Sequence, residues 1–173
     1  MDALTALKTR RACRSYTDEL PSRQQIESII EAGLYAPSGM GQQSAIVIAV
    51  TNKEIRDELS CLNAQFIPNC SSDPFYGAPV VLIVLAKKEV KTHVYDGALL
   101  LGNLMNAAHA IGLATCWIHR AKEMFETNQG KTILKKLGIT EEYEGIGNCI
   151  LGFRSGDTAQ VAPRKDQRVF CID

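Results

Sequence analysis

VYDGALLLGNLMNAAHAIGLATCWI, residues 94–118, changes its period once, and that change decides the fold. Up to Ile111 the apolar residues Leu100, Leu101, Leu104, Met105, Ala108 and Ile111 recur at steps of three and four, the spacing of one helix face. Gly97, Ala98, Ala107 and Ala110 add small side chains that allow close approach. The spacing therefore predicts a long, central, deeply buried helix over 94–111. Gly112 ends it, because glycine takes the left-handed cap conformation without a Cβ penalty. LATCWI, 113–118, then reads as a strand.

Outward from this unit, helical and extended segments mix without repeats. SRQQIESIIEAGLYA (22–36) sets Ile26, Ile29, Ile30, Gly33 and Leu34 at helical spacing, with Ser22 as N-cap and Pro37 as stop. SAIVIAVT (44–51) and APVVLIVLA (78–86) are continuous apolar, β-branched runs, as suits strands covered on both faces. A more polar helix is expected over 121–137, closed by Gly138, and IGNCILGF (146–153) and QRVFCI (167–172) read as two further strands. The order implies an α+β sandwich, one domain over 1–173, around a sheet of about five strands. The last strand follows the long connector RSGDTAQVAPRKD (154–166), a tether long enough to complete either its own sheet or a neighbour's, as in a swapped dimer.

Composition removes several classes of function. With 19 basic and 19 acidic residues and a pI near 6.8, nothing favours nucleic acid or another polyanion. The longest apolar run, 77–86, is about half of what a bilayer span requires, so no membrane segment is expected. The opening Met1-Asp2-Ala3-Leu4-Thr5 carries an acid where a secretory signal carries a base, so the expected location is cytoplasmic. None of the six cysteines has another at metal-site spacing, and Cys116, Cys149 and Cys171 sit in apolar runs; free thiols and no metal are expected.

Against this neutral background RRACRSY (10–16) packs three arginines into five positions. It is either the solvated C-terminal end of a helix over 3–11, where the dipole favours cations, or a built site for an anion.

Three blocks together resemble the FMN-dependent nitroreductase family. The first is RRACRSYTDELPSRQQIESIIEAGLYAPSGMGQQSAIVIAV, similar to the family's R-R-S-x-R segment, helix, P-S-x-x-N-x-Q-P-W turn and strand. The second is VYDGALLLGNLMNAAHAIGLATCWIHRAKEMF, like its central helix ending in G-L-G-T-C-W-I, and the third is ILGFRSGDTAQVAPRKD, like its L-G-Y/F then P-x-R-K-P. The chain departs from the pattern at Ala12 (serine in the family), at Gly41 (asparagine), and at Ser44 and Ala45 (proline and tryptophan).

The resemblance implies a nitroreductase-like α/β/α sandwich with a mixed, mostly antiparallel sheet, and a homodimer with FMN at the subunit interface. Carried over residue by residue, Arg10 and Arg11, flanking Ala12, and the distant Arg164 with Lys165 would hold the phosphate, which guanidinium groups match with paired donors. Arg14 would lie by the pyrimidine edge of the flavin, where a cation raises its potential. Pro37, Ser38, Gly39, Met40 and Gln43 would come from the partner subunit; their plainer reading is a loop between helix and strand. Cys116, Trp117, Ile118 and His119 would line the reactive ring edge, with His119 either a proton donor or a residue whose backbone does the work. Asp96 and Asn103 are read as helix-packing residues, and His93 and His109 as surface and core residues.

The function implied is oxidoreductase: NADH or NADPH as reductant, chemistry carried by FMN with no certain catalytic side chain, and an electron-poor small molecule such as a nitroaromatic or quinone as acceptor. A module that holds flavin for storage or sensing without turnover remains the alternative.

Overall fold

The computed structural model describes residues 1–157 and 161–172. In chain order it forms α1 (Ala3–Thr9), α2 (Arg23–Leu34), β1 (Ala45–Val50), α3 (Lys53–Ala64), β2 (Val80–Lys87), α4 (His93–Ala110), β3 (Ala114–Ile118), α5 (Ala121–Glu126), α6 (Asn128–Lys136) and β4 (Tyr143–Gly152). The strands make one sheet in the order β1-β2-β4-β3, and each neighbouring pair is antiparallel. The sole parallel feature among the described residues is a single bridge between Ala12 and Thr115.

β2 shows why its sequence is apolar without alternation. Val80, Leu82, Val84 and Ala86 pack with Ile26 and Ile29 of α2 and with Leu100, Leu101, Leu104 and Ala108 of α4. Val81, Ile83 and Leu85 face the other way, into Leu59 and Leu62 of α3, Met124 and Phe125 of α5 and Leu134 of α6. Successive side chains of a strand point to opposite faces, so helices on both faces demand apolar residues throughout. This is the expected α/β/α sandwich. Leu101 and Leu104 of the central helix are fully buried, and truncating either to alanine would cost about 2–5 kcal/mol.

Three expectations are corrected. Residues 167–172 form no strand: Val169, Phe170 and Ile172 lie in coil at 82%, 87% and 102% exposure, so the sheet has four strands rather than about five. A strand exists by pairing, and this segment pairs with no strand among the described residues. The helix expected over 121–137 is two helices, because Thr127 is extended (φ −70°, ψ 160°) and its hydroxyl accepts from Gly130 N–H to cap α6. α3 is an additional helix, which the apolar spacing of 53–64 does not predict. Of the connector 154–166, residues 158–160 lie outside the described residues.

The sheet positions two different ends. One, where Val80, Ala114 and Gly152 lie, receives the arginine-rich segment through the Ala12–Thr115 bridge and the hydrogen bond from Thr17 N–H to Phe153 O. At the other, where Lys87 and Ala45 lie, the turn over 37–44 meets the N-terminal end of α4.

Candidate functional site

The arginine-rich segment begins as a helix cap. Arg11 Nη1 donates to the carbonyls of Lys8 (2.8 Å) and Arg10 (2.7 Å) at the end of α1, while its buried Nε has no partner among the described residues. The chain then runs beside β3, held by Cys13 N–H donating to Thr115 O at 2.9 Å. That register brings the exposed Arg14 to the rim of a cleft of about 350 Å³ lined by Cys116, Trp117, Ile118 and His119. Among the described residues no carboxylate lies within ion-pair distance of Arg10, Arg11, Arg14 or Arg154, whereas Arg23, Arg56 and Arg120 are all paired. In a chain of zero net charge, these four guanidinium groups come from two segments, 10–14 and 154, that backbone contacts tie together at one end of the sheet.

The floor of the cleft is held from behind. Asn63, fully buried on α3, donates from Nδ2 to His119 O at 2.8 Å, and Asn148, fully buried on β4, donates to the Ile118 and His119 carbonyls at 3.3 Å. Trp117 lies against the backbone of Gly147, where an added Cβ would meet the indole Nε1 at 2.6 Å. Burial pushes the Cys116 thiol above its ordinary value, with Arg14 and Arg10 pulling against it, and burial pushes Cys149 up to about 12. Neither is a thiolate nucleophile at neutral pH.

The other wall is the loop over 66–78, which sequence reasoning passed over. Asp73 accepts from the Arg56 guanidinium, from Ser60 Oγ, and from the N–H groups of Phe75 (2.8 Å) and Gly77 (2.7 Å). Burial pushes the Asp73 carboxyl up, but these donors outweigh it and hold it below its ordinary value. Arg56, itself buried, also donates from Nε to Ala78 O at 3.0 Å and stacks 5.6 Å over the Phe75 ring. The spacing of Arg56, Ser60 and Asp73 carries no motif that would have disclosed this clamp.

The turn of Pro37, Ser38, Gly39, Met40 and Gln43 is built at the opposite end. Asp96 in the first turn of α4 accepts from Gly39 N–H (3.0 Å), Ser44 Oγ (2.6 Å) and Thr92 Oγ1 (3.2 Å). Burial raises its pKa, and the three donors, Ser44 foremost, overcome that and lower it. Asp96 is thus the anchor of the turn, not only a packing residue; Asn103 does pack, donating to Ala32 O of α2 at 3.2 Å. Ser38 Oγ accepts from Gln43 N–H at 2.9 Å, and Met40 projects at 94% exposure with φ 53°.

Within one chain, then, Arg14 and residues 116–119 share a cleft, while Arg10 and Arg11 precede it at the end of α1 and do not line it. The turn stands apart: Asp96 and His109 mark the two ends of α4, ~20 Å apart at the helical rise. Arg164 and Lys165 lie in exposed coil and make no side-chain hydrogen bond or ion pair with the described residues.

The sequence model of the Nitroreductase family matches residues 7–153. The chain superposes on the crystal structure of a nitroreductase with bound FMN from Bacteroides fragilis, 25% identical, with a TM-score of 0.90 and 100% of both chains covered. A Methanothermobacter thermautotrophicus relative, named for NADH dehydrogenase and NAD(P)H nitroreductase, is 29% identical over 126 residues, 68% of this chain and 60% of that protein. The Bacillus subtilis protein named FMN reductase (NAD(P)H) is 30% identical over 132 residues, 66% of this chain and 52% of that protein. Both alignments leave a large part of those longer relatives unmatched.

Proposed function

The chain belongs to the nitroreductase family, and from that premise we propose that it is an FMN-dependent oxidoreductase that works as a homodimer. The observation that carries the reading is the group of guanidinium side chains without carboxylate partners beside the cleft of Arg14 and Trp117. These residues fit the cofactor: a phosphate ester brings nearly two negative charges, and the buried, unpartnered Nε of Arg11 is a donor in want of an acceptor. The chemistry FMN supplies when bound is two-electron transfer, from NADH or NADPH to an electron-poor acceptor such as a nitroaromatic or quinone.

The chain's own residues bind, orient and exclude. Arg10 and Arg11 hold the phosphate, joined by Arg164 and Lys165 of the tail. Arg14 sets a positive charge at the pyrimidine edge and favours the electron-rich state there. Asn63 and Asn148 fix the 118–119 carbonyls, so the backbone amides of this segment keep a set direction toward the ring. His119 lines the cleft and is the candidate proton donor to the ring edge. The loop pinned by Asp73 limits the acceptor's space.

Two features support the dimer. The turn of Met40 stands at the far end of α4 from the arginines, so one chain presents two separated halves of a site. Val169, Phe170 and Ile172 lie exposed on the tail, apolar side chains that a partner surface would bury. All six cysteines are free thiols, in keeping with a cytoplasmic protein. Ala12 and Gly41, which lack the family's hydroxyl and amide, favour the second reading, a flavin-holding module without turnover.

The visible spectrum of the protein loaded with FMN separates these. Bleaching on anaerobic addition of NADPH or NADH, reversed by a nitroaromatic, is the expected result. Bound flavin that neither nucleotide reduces would leave the module, and no flavin binding at all would overturn both.

A further inference from the structure

His109 is only half-buried rather than a core residue, and it sits among cations. It occupies the last turn of α4, and its Nε2 lies 2.8 Å from Thr9 Oγ1 at the end of α1. Thr9 Oγ1 donates its own proton to Thr5 O at 2.6 Å, so toward the imidazole it accepts, and Nε2 carries the hydrogen. Nδ1 is left as the free position, with no partner among the described residues. The charged groups that face the ring are the guanidinium groups of Arg10 and Arg11 from the segment after α1, that of Arg154 from the end of β4, and the amino terminus, whose nitrogen reaches Ala110 O. Burial, then Arg10, Arg154 and Arg11, hold the imidazole below its ordinary pKa.

Arg154 is fixed to the same place by backbone. Tyr16 bridges to it, and Ser155 N–H donates to Ser15 O at 3.0 Å, so the end of β4 is laced to the arginine-rich segment. Cations from three separate parts of the chain converge without a carboxylate among the described residues to neutralise them. Such an arrangement complements a compact dianion.

We propose that Arg154 and His109 complete the phosphate site of the bound flavin: Arg154 adds a guanidinium group from the same chain, and His109 supplies the donor that the side chain of Ala12 lacks. The inference rests on the reading that this chain binds FMN. A phosphate dianion beside His109 favours the imidazolium, whose Nδ1–H then donates to a phosphate oxygen. Binding and proton uptake become linked. The imidazole titrates below about 6.5 in the free protein and higher in the complex, so phosphate-dependent affinity grows as pH falls through the interval between the two values. For a difference of one pKa unit the full gain on passing from above that interval to below it is about tenfold. The second ionisation of the phosphate, near pH 6, acts in the opposite direction and is common to every variant.

Fluorescence titrations of FMN and riboflavin between pH 6 and 8 test this in the wild type, Arg154→Ala, Arg154→Lys and His109→Gln, with the His109 ring titration followed by NMR. Arg154→Ala is expected to weaken FMN about tenfold and riboflavin less than twofold, with partial recovery in Arg154→Lys. His109→Gln is expected to leave riboflavin unchanged and to remove the pH-dependent gain for FMN. Equal losses for the two flavins in Arg154→Ala, or an unchanged FMN profile in His109→Gln, would overturn the inference while leaving FMN binding intact. If the wild type binds neither flavin, the FMN reading itself fails. Inorganic phosphate then decides the site: a His109 titration raised by phosphate over chloride sustains it, and an unmoved one overturns it.

Discussion

Asp73→Ala removes the carboxylate on which the 66–78 loop hangs. Four donors lose their acceptor: Arg56 Nη2, Ser60 Oγ, and the N–H groups of Phe75 and Gly77. Stranding one member of a fully buried ion pair costs about 3–5 kcal/mol. Here the Arg56 side chain is 9% exposed but Asp73 is 32% exposed, and Arg56 keeps Ala78 O and Asp57 Oδ1. The ionic part therefore belongs below that range, near ~2 kcal/mol, and the two loop N–H groups, which regain water, add about 0.5 kcal/mol each. The expected loss is ~3 kcal/mol. With a urea dependence of roughly 2 kcal/mol per molar, the unfolding midpoint falls by about 1.5 M at pH 7. The folded pKa of Asp73 lies below its ordinary value of 3.8, so its contribution is present above that value and lost as pH falls through the folded one. The gap between wild type and variant should persist at pH 5 and close progressively below about pH 4. A midpoint shift under about 0.5 M, the size of an ordinary surface ion pair, would refute the clamp, as would a gap that stays constant to pH 3.

Gly147→Ala drives a Cβ into Trp117 Nε1 (2.6 Å) and Leu101 Cδ1 (2.9 Å), and is expected to cost ~1–3 kcal/mol and to shift the emission of the single tryptophan. Emission and stability both unchanged would show that the indole does not rest on this glycine. Deleting residues 169–173 is expected to remove dimer and flavin together; sedimentation read at flavin absorbance checks it, and a monomer with stoichiometric FMN would contradict the shared site.

Elements declared by hydrophobic period were legible. α4, β2 and β3 stand where the spacing of Leu100, Leu104 and Ala108 and the run of β-branched residues put them, and Ser22 caps α2 through a reciprocal pair with Gln25. α3 escaped because it buries polar side chains: Arg56, Ser60 and Asn63 share its inner face with Leu59 and Leu62, so the apolar period is diluted. β4 begins at Tyr143, earlier than expected, because Gly145 and Gly147 resemble a loop in sequence while serving close contacts with the Ala121 carbonyl and Trp117. The site divides in the same way. RRACR and TCWIH could be found as local patterns; the Asp73 clamp, the Asp96 anchor and the meeting of His109 with Thr9 join residues that only the fold brings together.

The geometry of α4 bears on how two chains would share the proposed site. Tyr95 and Leu99 are exposed along one face, and a Cβ added to Gly102 on that same face would meet nothing within 4 Å. Gly102 is also the middle of the helix, with the Asp96 anchor ~9 Å to one side and His109 ~10 Å to the other at the helical rise. A two-fold axis through this point would pair two α4 helices antiparallel, with glycine permitting close approach. Such an arrangement sets the Asp96-anchored turn of one chain beside the arginine end of the other, and does so twice. In such a pair the separation of the two half-sites within one chain would match their spacing across the axis. On this reading the apolar face of α4 builds the core of its own chain, while its two polar ends would hold complementary half-sites at matched distances from the axis.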